Sequence, residues 1–357
     1  MATAAIAVMA AAALLVAWSR LRPDQGQGKA APEKGALQGR GALRKPPAPN
    51  EPQPAFILCE NDPGHPCKNS SVPVRWPSDF YKSVREHAKR VVAAGRTPVV
   101  LHVGANDFAS DVFEYRPLLT ALKEYTGSAV RLVMVEPNSD NTPLLLTRYK
   151  DLGQPERDVT VVTAAMNKQC NGSLIIYVFS KRIVKDFVPA YNPGLRQGVL
   201  NAMRSWRSLN KAQLPSIVGG VARMPTVDEK NPPPSLPYFF LHVLPVVKRV
   251  YAAGNCTKYI QAEEVTCLNA SGLSREAHFR PDDVVYLKVD AEGFDIPIME
   301  SFVSLPSLRP TLIEWEGHFA QPEAKGVIDF WRGQGYLMGA VENGHDNNVV
   351  MYHGREV

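Results

Sequence analysis

Two carboxylates, Asp290 and Glu292, follow an apolar run in the string Leu287-Lys288-Val289-Asp290-Ala291-Glu292-Gly293-Phe294-Asp295. An acidic pair where a strand gives way to a turn can order a substrate hydroxyl, take a proton or hold a divalent metal. Its plainer use is to cap the helix that follows. A second string, Val99-Val100-Leu101-His102-Val103-Gly104-Ala105-Asn106-Asp107, runs from a buried strand straight into small residues. Gly104 and Ala105 either let the main chain approach a ligand or simply make a tight turn. Glu136 ends the next apolar run. An acid there can accept both hydroxyl protons of a ribose, or rest as a favourable charge at a helix start. Further on, Glu314 and Glu316 flank Trp315, with Gly317 and His318 after them, where they would face the same crevice. His318 would serve as a general base, since its ordinary pKa is near neutral; a lone surface histidine is the alternative. No CxxC and no Cys/His cluster with zinc spacing occurs, so no metal site is expected.

These residues need a scaffold that brings strand ends together. Five apolar runs read as strands: Val99–Val103, Val130–Val135, Val159–Ala164, Val284–Val289 and Thr311–Trp315. Leu174–Phe179 adds a hairpin arm to the third. Helical segments at 111–125, 139–150 and 295–304 fill the crossovers, and Tyr336–Val341 with Asn348–Tyr352 form a closing antiparallel pair. Continuous apolar strands separated by helices predict an α/β fold, a parallel sheet with helices on both faces. A capped helix over residues 78–95 precedes it, and 56–77 reads as an extended, Pro-rich strap. Between about Lys181 and Asp282 lies an insertion before strand four that the sheet does not need, with helical runs near 194–212 and 239–253. Long insertions of this kind tend to be lids or binding regions.

The apolar fraction of 45% is enough for a core, and the net charge of +5 is confined to residues 20–50, which hold seven basic and two acidic groups. The rest of the chain balances at 33 basic and 33 acidic, which gives no support for a nucleic-acid partner. Residues 1–19 include an uncharged apolar run, read as a membrane signal anchor or a cleaved signal peptide; 20–55 reads as a disordered stem. Arg20 and Arg22 after the run favour a cytosolic body. Four Asn-x-Ser/Thr sequons at Asn69, Asn171, Asn255 and Asn269 favour the Golgi or ER lumen and outweigh it. Of five cysteines, Cys59 and Cys67 lie close together, as do Cys256 and Cys267, so each pair can staple a loop, leaving Cys170 over.

The strings VVLHVGAND, MVEPN, TVVTAAMN, YLKVDAEGFDIPIMES and TLIEWE together resemble the FkbM-type methyltransferase family, from about Val99 to Tyr352 apart from the insertion. The resemblance implies a Rossmann-like class I methyltransferase sheet over residues 99–357, S-adenosylmethionine as cofactor, and methyl transfer to a hydroxyl. By that likeness Gly104, Ala105 and Asn106 approach the methionine part of the cofactor, Glu136 binds its ribose, and Ala165 and Met166 lie near its adenine. Asp290 and Glu292 stand at the acidic active-site strand end. A glycan or small glycoside is the acceptor expected for a stemmed luminal protein. The family usually has Asp at position 102 and Gly at position 108, so His102 and Phe108 are departures. Phe108 is expected to narrow the cofactor loop. Two other readings stay open: a luminal metal-dependent glycosyltransferase using Asp290 and Glu292, and a degenerate methyltransferase-fold binding protein.

Overall fold

A computed structural model describes residues 55–58, 73–75, 78–106, 108, 111–170, 172–189, 193–209, 211–224, 239–291, 294–316, 324–342 and 347–353. The apolar run, stem residues 20–54, Cys59 and Cys67, the sequon residues Asn69 and Asn171, and the site residues Glu292 and His318 lie outside them. Among the described residues no helix is long and apolar enough to cross a membrane.

The strands in chain order are β1 (Ala55–Leu58), β2 (Pro73–Arg75), β3 (Val99–Val103), β4 (Arg131–Val135), β5 (Val159–Val162), β6 (Ala165–Met166), β7 (Gly172–Phe179), β8 (Ile260–Leu268), β9 (Val284–Val289), β10 (Leu312–Glu316), β11 (Tyr336–Glu342) and β12 (Asn347–His353). The main sheet runs β2-β1-β11-β12-β10-β9-β3-β4-β5. Five adjacent strands, β10, β9, β3, β4 and β5, are parallel, with β5 at the edge, and β12 and β11 continue the sheet beyond β10 as an antiparallel pair. Strand order reverses between β3 and β9, and in doubly wound sheets ligands bind where it does. Every residue of β3 and β9 is buried, as a strand covered on both faces requires.

The helices are α1 (Ser78–Ala93), α2 (Val112–Thr126), α3 (Thr142–Leu145), α4 (Arg148–Leu152), α5 (Arg182–Phe187), α6 (Pro193–Ser205), α7 (Gln213–Ala222), α8 (Leu244–Ala252), α9 (Ala270–Glu276), α10 (Asp295–Val303) and α11 (Ala324–Gly333). Two apolar clusters cover the two faces of the sheet. One contains Leu101, Leu287, Phe302 and Trp315; the other contains Val100, Tyr115, Leu119 and Tyr286.

Three expectations are corrected and one, the extended strap, is taken further. Leu174–Phe179 belongs to β7, which does not extend the main sheet but pairs with β8 in a separate sheet of order β6-β8-β7. The insertion therefore contributes a strand as well as helices. The segment 139–150 is two short helices separated at Leu146 and Thr147. The strap contains β1 and β2, which add to the main sheet beyond β11. Finally, Cys267 bonds to Cys170, 97 residues away, and Cys256 is free. The expected Cys256–Cys267 staple does not form, because Cys267 sits in β8 beside the turn that carries Cys170.

The insertion's α5 to α8 surround a third apolar cluster, including Phe179, Val199, Met203, Trp206, Val218 and Val247. The insertion is joined to the rest of the chain by the pairing of β8 with β6 and β7, by the Cys170–Cys267 bond, and by ion pairs. Arg204 lies 3.2 Å from Asp140 and 2.9 Å from Glu263, Arg207 lies 2.7 Å from Glu136, and Lys181 lies 3.4 Å from Asp140.

Candidate active site

An open cavity lies at the carboxyl ends of β3, β4 and β9, with Gly104, Asn106, Glu136 and Asp290 among its walls. The sheet brings these residues together from positions up to 186 apart in the chain because β3 pairs with β4 on one side and β9 on the other. Gly104 has φ +86°, and a Cβ there would stand 1.8 Å from the carbonyl oxygen of Asp290. Glycine is required here by the approach of one strand end to the next. The Asp290 amide reaches back to the Val103 carbonyl at 2.9 Å and completes the clamp.

Glu136 is 5% exposed, yet it faces the cavity. Its Oε2 accepts the Asn106 amide at 3.0 Å, and its Oε1 accepts the Asn138 amide at 2.8 Å. Two main-chain donors thus fix the carboxylate, and Asn141 steadies Asn106 by donating to its Oδ1 at 2.9 Å. Oε1 also accepts Arg207 Nη1 at 2.7 Å. Ala164, Ala165 and Met166 form an apolar wall beside it, faced by Leu174 and Ile176 of β7.

Asp290 sits across the cavity in a charged neighbourhood. Its carboxyl pKa is pushed up to about 7, first by burial. Lys288 opposes the rise, while the negative charges of Asp111, Asp295 and Glu314 add to it. Lys288 is held 3.1 Å from Asp111, a second carboxylate of the cavity wall. Glu314 does not face the crevice as expected. It is buried and accepts the Tyr286 hydroxyl at 2.8 Å, because alternate residues of β10 point to opposite faces and Trp315 takes the other core.

Of the expected cofactor residues, Gly104, Asn106, Glu136, Ala165 and Met166 all line the cavity. Ala105 does not: it is buried in the cluster on the α2 face, where the turn after Gly104 aims it. Asp290 lines the cavity, and Glu292 and His318 lie outside the described residues. Sequence reasoning missed Asp111 and Arg207. Asp111 was legible as the acid that opens α2, close behind the loop; Arg207 follows a helix of the insertion and carries no motif.

A comparison with protein families matches the methyltransferase FkbM domain over residues 102–338. The chain belongs to the FkbM methyltransferase family. Comparisons with curated proteins and with solved structures find no match.

The family departure at Phe108 does not narrow the methyltransferase cavity. Phe108 is 1% exposed and packs away from it, 5.4 Å from the His102 ring and 4.9 Å from the Tyr115 ring. His102, the other departure, stacks on Tyr115 at 5.4 Å. Burial drives the His102 pKa down to about 3, so the imidazole is neutral and acts as a flat core ring. The two departures therefore touch and fill one space. Phe108 keeps a φ of +57°, which glycine would adopt without strain. Phe108→Gly should still destabilise the protein by roughly 2–4 kcal/mol, since emptying a buried Phe site costs about 3–5 and relieving the left-handed backbone returns about 1. Denaturant melts of the variant check this; an unchanged or raised midpoint would contradict it.

Proposed function

We propose that the chain transfers a methyl group from S-adenosylmethionine to a hydroxyl oxygen of a glycan or small glycoside. The observation that carries this reading is the placement of Glu136 and Asp290 on one cavity, at neighbouring strand ends of the switch point. The cavity fits a nucleoside. A carboxylate pre-set by two amides can accept ribose hydroxyls, and the walls from Ala165 and Ile176 offer an apolar slot for a purine. The main chain at Gly104 and Asn106 closes the third side.

Bound there, the cofactor supplies an electrophilic methyl group. The chain supplies position and a proton acceptor. Glu136 anchors one end of the nucleoside, and β7 with Ser205, Arg207 and Leu209 of the insertion shields the cavity from water. Asp290, with a carboxyl pKa near neutrality, takes the proton of the acceptor hydroxyl.

The luminal setting belongs to the same proposal. The Cys170–Cys267 bond suits an oxidising compartment, and Asn255 is an exposed sequon asparagine. Asn269 is committed elsewhere, since its side chain caps α9 by accepting the Gly272 amide at 2.8 Å. The membrane anchor expected in residues 1–19 completes the picture of a stemmed luminal enzyme.

The test is calorimetric titration with S-adenosylmethionine, followed by transfer of a labelled methyl group to a panel of glycosides. Binding heat with label in an alkali-stable ether supports the reading. A protein that binds no S-adenosylmethionine overturns it.

A further inference from the structure

Glu136 is already crowded. A carboxylate offers about four acceptor positions, and three donors occupy it: the amides of Asn106 and Asn138, and Nη1 of Arg207. One position is left, on Oε2. A ribose that donates both hydroxyls needs two. The amides are main-chain groups fixed by the strand ends, so Arg207 is the donor that can leave.

Arg207 is suited to leaving. Its main chain stays put, because the next residue forms a bridge to β7: the Tyr177 amide donates to the Ser208 carbonyl at 2.8 Å, and the Ser208 amide to the Tyr177 carbonyl at 3.1 Å. Only the side chain must swing. Its Nε donates to the Arg204 carbonyl at 2.8 Å, while Nη2 is buried with no hydrogen-bond partner among the described residues. Burial also depresses the guanidinium pKa, with the Glu136 charge as the main opposing influence. The ion pair is thus held against an unmade hydrogen bond and a lost hydration shell, and both are recovered when the side chain reaches water.

We propose that Arg207 is an internal occupant of the Glu136 site, displaced by a ligand with two vicinal hydroxyls and left in place by a ligand with one. The inference rests on the nucleoside reading of the cavity given above. Arg207 lowers the apparent affinity for a ribonucleoside cofactor, because part of the binding energy goes into exchanging one partner of the carboxylate for another. It also lowers the preference for a ribose over a deoxyribose. A single hydroxyl uses the open Oε2 position and leaves Arg207 where it is.

The experiment is calorimetry of the wild type, Arg207→Met and Arg207→Lys with S-adenosylhomocysteine and with its 2′-deoxy analogue. Methionine keeps an apolar stem in the space while removing every donor. Arg207→Met should bind S-adenosylhomocysteine at least threefold more tightly than the wild type. Its preference for that ligand over the deoxy analogue should widen by a similar factor. Arg207→Lys, with a single-point contact, should fall between, which keeps the test alive if the methionine variant does not fold. Weaker binding of S-adenosylhomocysteine by either variant, or an unchanged ribose preference, overturns the proposal and makes Arg207 a ligand-positioning residue. Binding by none of the three proteins overturns the nucleoside reading itself, and this inference with it.

Discussion

Asp290→Asn should lower methyl transfer by about a hundred- to ten-thousandfold, the usual span for a lost general base, while S-adenosylmethionine still binds. The amide keeps the shape and cannot take a proton. The wild-type rate should carry the signature of the group. Asp290 has its pKa raised to about 7, so it is protonated and idle below that pH and becomes a base above it. Rate should therefore climb through neutrality and level off in mild alkali. The Asp290→Asn variant should lose that rising limb along with the rate. A variant that keeps both the rate and the limb would remove Asp290 from the chemistry. The same shift bears on folding with a defined sign. The folded carboxyl holds its proton at pH values where the unfolded one, at its ordinary value of 3.8, has lost it. This one group therefore opposes folding above pH 7, and its cost fades as pH falls from 7 towards 4.

Breaking the Cys170–Cys267 bond should lower stability markedly. A cross-link that closes a loop of about 100 residues contributes about 4.7 kcal/mol by chain entropy, and measured native bonds are typically worth about 2–4. The double variant Cys170→Ser, Cys267→Ser should accordingly show a markedly lower thermal midpoint, as should wild type under a strong reductant. The effect should extend to the ligand. Cys267 is the register partner of Ala165 in β6, whose residues form the apolar wall of the cavity. Cofactor affinity should fall with the bond, measured by titration well below the new melting point. An unchanged midpoint in the double variant would show that the small sheet holds without the link.

The sequence made the parallel core legible because that core is apolar on both faces. β3 and β9 stand where their Val- and Leu-rich runs place them, each carrying one polar residue, His102 or Lys288, and Glu136 and Asp290 are the first acids beyond β4 and β9. The small sheet was hidden for the opposite reason. β8 reads Ile-Gln-Ala-Glu-Glu-Val-Thr-Cys-Leu, a partly exposed strand with two adjacent acids, and its partner β7 lies some eighty residues earlier. Nothing local joins them, and the cysteine pairing was misread with them. Ala105 was placed in the cavity on its small size and the family likeness, yet its direction is fixed by the left-handed turn at Gly104. Phe108 looked like an obstruction because bulk shows in a sequence and direction does not. Arg207 could not be found at all by motif, since its role depends on a carboxylate 71 residues away.

The clamp between Gly104 and Asp290 has a consequence for how such an enzyme can diversify. With 1.8 Å between an imagined Cβ and the opposing carbonyl, these strand ends admit no larger residue on the glycine side. The span between the Gly104 loop and Asp290 is set by main chain, so side-chain replacement cannot tune it. A lineage exploring new acceptors, or a chemist redesigning this one, has to leave that span alone and rewrite the helical insertion. Its helices close on an apolar core of their own, while β8 and the Cys170–Cys267 bond tie it to β6 and β7, so the changes belong on the helices and leave β8 in place.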